Sequence, residues 1–211
     1  MALQPVPLPG ARVAFDPQWL PGPESDALFA TLLTAVPWSV HRIRLFGREV
    51  ESPRLSCWIG DPGAAYAYSG SRFQPHPWPA ALQALRARLD AACGATFNSV
   101  LANLYRDGRD AMGWHRDDEP ELGPQPVIAS LSLGAPRRFL FKPVHAPSAE
   151  AKTRGGVQAR PGPVAIELGH GSLLCMAGKT QALYRHALPR TARPVPPRIN
   201  LTFRRVVAAR D

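Results

Sequence analysis

The chain has 211 residues, 45% apolar and 19% charged, a globular balance that excludes whole-chain disorder and fits one compact domain. Twenty-five Lys and Arg against sixteen Asp and Glu leave a formal charge of +9, so nucleic acid is the first partner to weigh against a merely basic, soluble surface. No apolar run reaches membrane-spanning length, the first residues lack the basic and apolar segments of a secretion signal, and Cys57, Cys93 and Cys175 form no CxxC pair. Membrane insertion, secretion, a disulfide framework and a structural zinc site are therefore not expected, and a cytoplasmic protein, nucleoid-associated in a bacterium, is.

In chain order, the first predicted helix runs from Ser25 to Val36, after Pro21-Gly22-Pro23, with Leu28, Leu32 and Leu33 on one face and Pro37 beyond its end. The second runs from about Pro79 to Cys93, with Leu82, Leu85 and Leu89 on one face and Gly94 as its C-cap. From Ser99 onward the pattern turns to short β-prone runs: Val100 to Tyr105, Val127 to Leu133, Arg138 to Lys142, Val164 to Leu168, Ser172 to Met176, Ala182 to His186 and Ile199 to Val206. Turns such as Asp107-Gly108 and Gly134-Ala135-Pro136 separate them, and Ala146 to Pro163 reads as a polar, basic surface loop. Many short strands with no helices between them predict a sandwich or jelly roll.

The segment from Asn103 to Pro120 places His115 and Asp117 on the same side of an extended stretch, and His186 ends a predicted strand much later. Two histidines and a carboxylate form the facial triad that leaves open positions on non-haem Fe(II). Alone, the stretch from Arg116 to Glu119 fits a hydrated charged turn better than a metal site. The last strand alternates Arg198, Asn200, Thr202 and Arg204 with Ile199, Leu201 and Phe203, which puts four polar side chains on one face. That face is either a solvated surface or a set of cations and hydrogen-bonding groups for a small dicarboxylate. Asn103 and Tyr105, also two apart, fit either ordinary strand packing or the same acid.

Taken together, Asn103-Leu104-Tyr105, His115-Arg116-Asp117-Asp118-Glu119, His170-Gly171-Ser172-Leu173-Leu174, His186-Ala187-Leu188-Pro189 and Arg198 to Arg204 resemble the AlkB-type branch of the Fe(II) and 2-oxoglutarate dependent dioxygenases. The likeness is greatest to the members that repair duplex DNA. It implies a mainly β, α+β fold: a double-stranded β-helix (jelly-roll) core over residues 98–211, with N-terminal helices and a nucleotide-recognition lid in 1–97 packed on it. It further implies Fe(II) held by His115, Asp117 and His186. The 2-oxoglutarate co-substrate would be held by Asn103, Tyr105, Arg198, Asn200, Thr202 and Arg204, with Arg198 on the distal carboxylate and Arg204 nearer the metal, steadying Asp117. With O2, the implied reaction is oxidative demethylation of 1-methyladenine and 3-methylcytosine.

On the substrate side, Leu45-Phe46-Gly47-Arg48 resembles the hairpin tip that wedges a duplex, with Phe46 as the wedge. Tyr66-Ala67-Tyr68 resembles the wall of a flipped-base pocket, and Asp118 and Glu119 lie where acids favour a methylated, cationic base. Arg42, Arg44, Arg48 and Arg54 around the tip, and Lys142, Lys152, Arg154 and Arg160 around the long loop, are candidate phosphate contacts. Methylated DNA is the expected partner, duplex ahead of single strand, with RNA as an alternative and no membrane or protein partner. Two other readings are an RNA- or protein-directed dioxygenase and an inactive nucleic-acid binding module. Cys57-Trp58 before Gly60-Asp61 departs from the duplex-DNA pattern and bears on base preference.

Overall fold

The structure is a computed structural model that describes residues 2–45, 48–64, 66–68, 71–145 and 162–207, with the backbone alone over 43–49 and 66–73. Helix α1 (Gly22–Ala35) begins one turn earlier than the leucine spacing predicts, because Pro21 sits at its N-cap and Pro23 in its first turn, where a missing N–H costs nothing. Helix α2 (Ala80–Cys93) ends at Gly94, whose φ of 61° places it in the left-handed region. No helix among the described residues is long and apolar enough to cross a membrane.

The strands are β1 (Gln4–Val6), β2 (Arg12–Asp16), β3 (Ser39–Leu45), β4 (Arg48–Gly60), β5 (Tyr66–Tyr68), β6 (Ser71–Phe73), β7 (Ser99–Tyr105), β8 (Met112–His115), β9 (Ile128–Gly134), β10 (Arg137–Pro143), β11 (Val164–Leu168), β12 (Leu173–Ala177), β13 (Tyr184–Leu188) and β14 (Arg198–Arg204). A large antiparallel sheet runs β1-β2-β12-β9-β14-β7-β4-β3, and a four-stranded one runs β11-β10-β13-β8. Two stacked antiparallel sheets joined by long connections form the expected jelly roll. Residues 1–97 are more than a lid, since β1 to β4 all belong to the large sheet and β4 pairs with β7 from Leu55↔Leu104 to Gly60↔Ser99. The strand predicted at Ala182 to His186 begins two residues later, because a helical turn, α3 (Thr180–Leu183), precedes β13.

Two apolar clusters hold these layers. On the outer face of the large sheet, Leu28 and Leu32 of α1 and Leu82, Leu85 and Leu89 of α2 bury against Leu131, Leu133, Ile199, Leu201 and Phe203. Each fully buried Leu or Phe contributes about 2 kcal/mol of transfer free energy. Between the sheets, Ile128, Phe139, Phe141, Leu168, Leu174 and Met176 form the second cluster. Strand β14 divides its side chains between the two spaces: its apolar residues face the helices, and its polar ones face the sandwich interior, with every residue buried.

The turn before β12 is the tightest point of this packing. Gly171 has φ +77°, and a Cβ built there lies 2.3 Å from the Leu20 carbonyl oxygen. That oxygen also accepts from Ser25 Oγ, while Leu20 N–H donates to the Gly171 carbonyl. Gly171→Ala is expected to lower stability by about 2 kcal/mol or more, which urea unfolding at equilibrium would measure.

Candidate metal and oxoacid centre

The two sheets enclose a cavity at the end where β8 pairs with β13. His115 and His186 are register partners across that pair, so the antiparallel ladder itself places the two imidazoles together, with ring centroids 4.2 Å apart. Asp117 follows two residues after His115, where the chain leaves β8. The ligand-type atoms of His115, Asp117 and His186 all lie within 4.8 Å of one another. His115 Nδ1–H donates to the Gly113 carbonyl at 2.8 Å, which fixes the tautomer and leaves Nε2 with its lone pair for a metal. Burial, with His186 nearby, pushes the His115 imidazole down to about 3, so it is neutral and ligand-competent at physiological pH. The His186 ring is held by Phe139, stacked at 5.2 Å with a 28° interplanar angle.

Asp117 is anchored from three sides. Its backbone N–H donates to Gln181 Oε1 at 3.1 Å, Arg204 Nη2 donates to its Oδ1 at 2.6 Å, and His186 Nε2 lies 3.5 Å from its Oδ2. Burial alone would raise this carboxyl, yet the Arg204 guanidinium and the two histidines hold it well below the usual carboxylate range. It is an anion throughout the working pH range. The Arg204–Asp117 pair also bridges the sheets, since Arg204 ends β14 and Asp117 follows β8.

Beside the triad lies the polar face of β14. Arg198 is 1% exposed. Its Nη2 donates to Ser132 Oγ at 2.8 Å, and its guanidinium lies 5.2 Å from the centre of the Tyr105 ring. Its Nε and Nη1 have no hydrogen-bond partner among the described residues. Burial pushes its pKa down to about 10, so it remains a cation. A buried, half-satisfied guanidinium is costly unless an anion completes it. Asn200 donates to Ser130 Oγ at 2.8 Å and to the Leu131 carbonyl at 3.1 Å, and Thr202 Oγ1 donates to Asn200 Oδ1 at 3.0 Å.

Asn103, Tyr105, His115, Asp117, His186, Arg198, Asn200, Thr202 and Arg204 all line this one cavity, with Leu101, Met112, Met176 and Leu188 among its apolar walls. The solvated-surface reading of β14 is therefore excluded. The donor set fits its expected occupants: nitrogen and oxygen ligands on three sides of a point suit a ferrous ion with open positions, and the free N–H groups of Arg198 suit the far carboxylate of a diacid.

The expected substrate residues are less fully placed. Phe46 and Gly47 lie outside the described residues, as do Lys152, Arg154 and Arg160. Arg48 falls on β4, and Tyr66, Ala67 and Tyr68 on β5, by backbone alone. Asp118 is exposed and pairs with Arg116 at 2.5 Å, while Glu119 is half-buried on the same stretch leaving the triad. Arg54 corrects the phosphate-contact reading. It is 4% exposed, and its Nε donates to Asn103 Oδ1 at 2.6 Å and its Nη1 to Ser52 Oγ at 3.0 Å. Trp58 is likewise buried, donating to the Ala64 carbonyl.

Sequence reasoning missed Gln181, Phe139, Ser130 and Ser132. The spacing of Ser130 and Ser132 on a strand did carry a signal, because that interval puts both hydroxyls on one face, opposite the polar side of β14.

The profile of the 2OG-Fe(II) oxygenase superfamily matches residues 12–204. The chain belongs to that superfamily. This oxygenase is 40% identical over 187 residues to the mouse protein named DNA oxidative demethylase ALKBH2, covering 87% of the chain and 76% of the relative. It is 39% identical over 197 residues to human alpha-ketoglutarate-dependent dioxygenase alkB homolog 3, covering 93% of the chain and 66%, just under two thirds, of the relative. The solved structure of OsALKBH1 superposes with a TM-score of 0.64 over 96% of this chain and 99% of that one, at 17% identity, a likeness of fold.

Removing one partner of the pair that bridges the sheets leaves the other buried and uncompensated. Arg204→Met is expected to lower stability by about 3 kcal/mol. The double variant with Asp117→Asn should recover part of that loss, so a double-mutant cycle read by chemical denaturation of the metal-free protein measures the coupling.

Proposed function

We propose that this oxygenase repairs DNA by removing methyl groups from 1-methyladenine and 3-methylcytosine. One observation carries the reading: a metal-competent His115, Asp117 and His186 cluster shares a cavity with a buried Arg198 that keeps two N–H groups for an anion. The names of the mouse and human relatives and the excess of basic residues support the substrate class.

His115, Asp117 and His186 would hold Fe(II), and the chemistry supplied when iron and 2-oxoglutarate are bound with O2 is oxidation of an N-methyl group, which leaves formaldehyde, succinate and carbon dioxide. Arg198, helped by Tyr105, binds and orients the distal carboxylate of 2-oxoglutarate. Arg204 keeps Asp117 ionised and fixes which carboxylate oxygen faces the ligand position. Asn200 and Thr202 hold each other in a dry wall beside it, and Asn103, itself held by Arg54, closes the neighbouring side. The apolar walls exclude bulk water, which strengthens every charge contact within. Asp118 and Glu119, next along the chain, favour the positive charge that methylation places on these bases.

Formaldehyde and succinate release from methylated oligonucleotides tests the assignment. His115→Ala is expected to abolish both products, and Arg198→Met to raise the KM for 2-oxoglutarate about 100-fold by removing charge-assisted hydrogen bonds. Unchanged turnover in His115→Ala, or release from methylated RNA or peptide but not from DNA, would refute it.

The duplex is the proposed form of the target, through Phe46 as a wedge that fills the gap left by a flipped base. Phe46→Ala should cut kcat/KM on a methylated duplex roughly tenfold and leave the same lesion in a single strand unaffected. Equal loss on both substrates would remove the wedge role.

A further inference from the structure

We propose that the outer face of the four-stranded sheet, centred on Trp114, is a stacking and phosphate-binding platform for unpaired DNA flanking the base that enters the metal cavity. The proposal rests on the nucleic-acid reading above, and adds to the duplex engagement proposed for Phe46 a separate surface that serves single-stranded targets.

Side chains alternate along a strand, so on β8 the neighbour of inward-facing His115 points outward. That neighbour is Trp114, at 37% exposure the one Phe, Tyr or Trp left exposed among the residues whose side chains are described. The Lys142 ammonium lies 4.2 Å from the centre of its ring. Lys142 of β10 is in register with Arg185 of β13, just as the preceding Phe141 is in register with His186 on the inner face. Arg185 and Arg138 are both exposed, and Glu167 of β11 faces Arg138 at the far side of the sheet. The end of the face nearest the metal ligands thus presents an indole and two cations.

An exposed indole in a basic setting fits a nucleic-acid strand on two counts. The ring face that Lys142 does not cover stacks on a base, and Lys142 and Arg185 meet the neighbouring phosphates. Stacking requires a base whose own face is open, which paired bases inside a duplex do not offer, so the occupant is unpaired DNA. The placement also fits the chemistry: Trp114 and His115 are adjacent residues, so a nucleotide resting on the outer face lies on the same edge strand that delivers an iron ligand to the inner one.

The test is fluorescence anisotropy with an unmethylated, single-stranded DNA of about fifteen nucleotides, without iron or 2-oxoglutarate, so that binding is read apart from turnover. Trp114→Ala should weaken binding roughly tenfold and Trp114→Phe, which keeps a ring, about threefold or less. Lys142→Ala with Arg185→Ala should reduce the slope of log Kd against log salt by about 1.4, at roughly 0.7 for each lost phosphate contact. Binding of a blunt duplex should be unaffected by Trp114→Ala. Full-length protein with an unchanged far-UV spectrum is used throughout, and Trp114→Phe and the cation variants test the surface even if Trp114→Ala folds poorly. Wild-type affinity in both Trp114 variants, or equal loss on the duplex, would overturn the proposal. Trp114-dependent binding in a wild-type protein that releases no formaldehyde from methylated strands would uphold the platform and sink the repair reading, so the two failures are distinct.

Discussion

The structure depends on burying a charged strand face between two apolar sheets. Strand β14 carries Arg198 and Arg204 into the sandwich interior, where guanidinium groups are expensive to desolvate. Arg204 is answered within the chain, by Asp117 of the opposite sheet. Arg198 is answered only in part, by one serine hydroxyl and the face of Tyr105. The fold is thus closed electrostatically at the metal end and left open a few residues away, where a diacid completes it. The apolar half of β14 makes this tolerable, because Ile199, Leu201 and Phe203 anchor the strand to the helix layer and leave its polar half no freedom to turn away.

Much of this was legible in the residues. Proline and glycine punctuation marked both helices, and the period of two in β14 gave its two faces. What periodicity left open was whether the polar face meets water or the interior, since alternation is identical in both cases. The spacing of His115 and Asp117 was likewise visible while their meeting with His186 was not, because cross-strand register is a long-range property.

The N-terminal strands were harder to read. Strand β4 mixes Ser52, Arg54 and Ser56 with Leu55, Cys57 and Ile59, and of its polar set Arg54 was read as a phosphate contact. The same alternation serves a strand buried on both faces, whose polar side chains find partners inside the protein, as Arg54 does in Ser52 and Asn103. Arg54 was taken for a phosphate contact because charge alone says nothing about direction. Gln181 gave no signal, since an amide acting on a backbone N–H leaves no pattern in sequence.

Because His115 and His186 become neighbours only when β8 pairs with β13, the iron site has no precursor in a partly synthesised chain. Both strands must have emerged and zipped together before the imidazoles can share an ion. Assembly of the complete three-ligand site is therefore a product of tertiary folding, downstream of the pairing of β8 with β13.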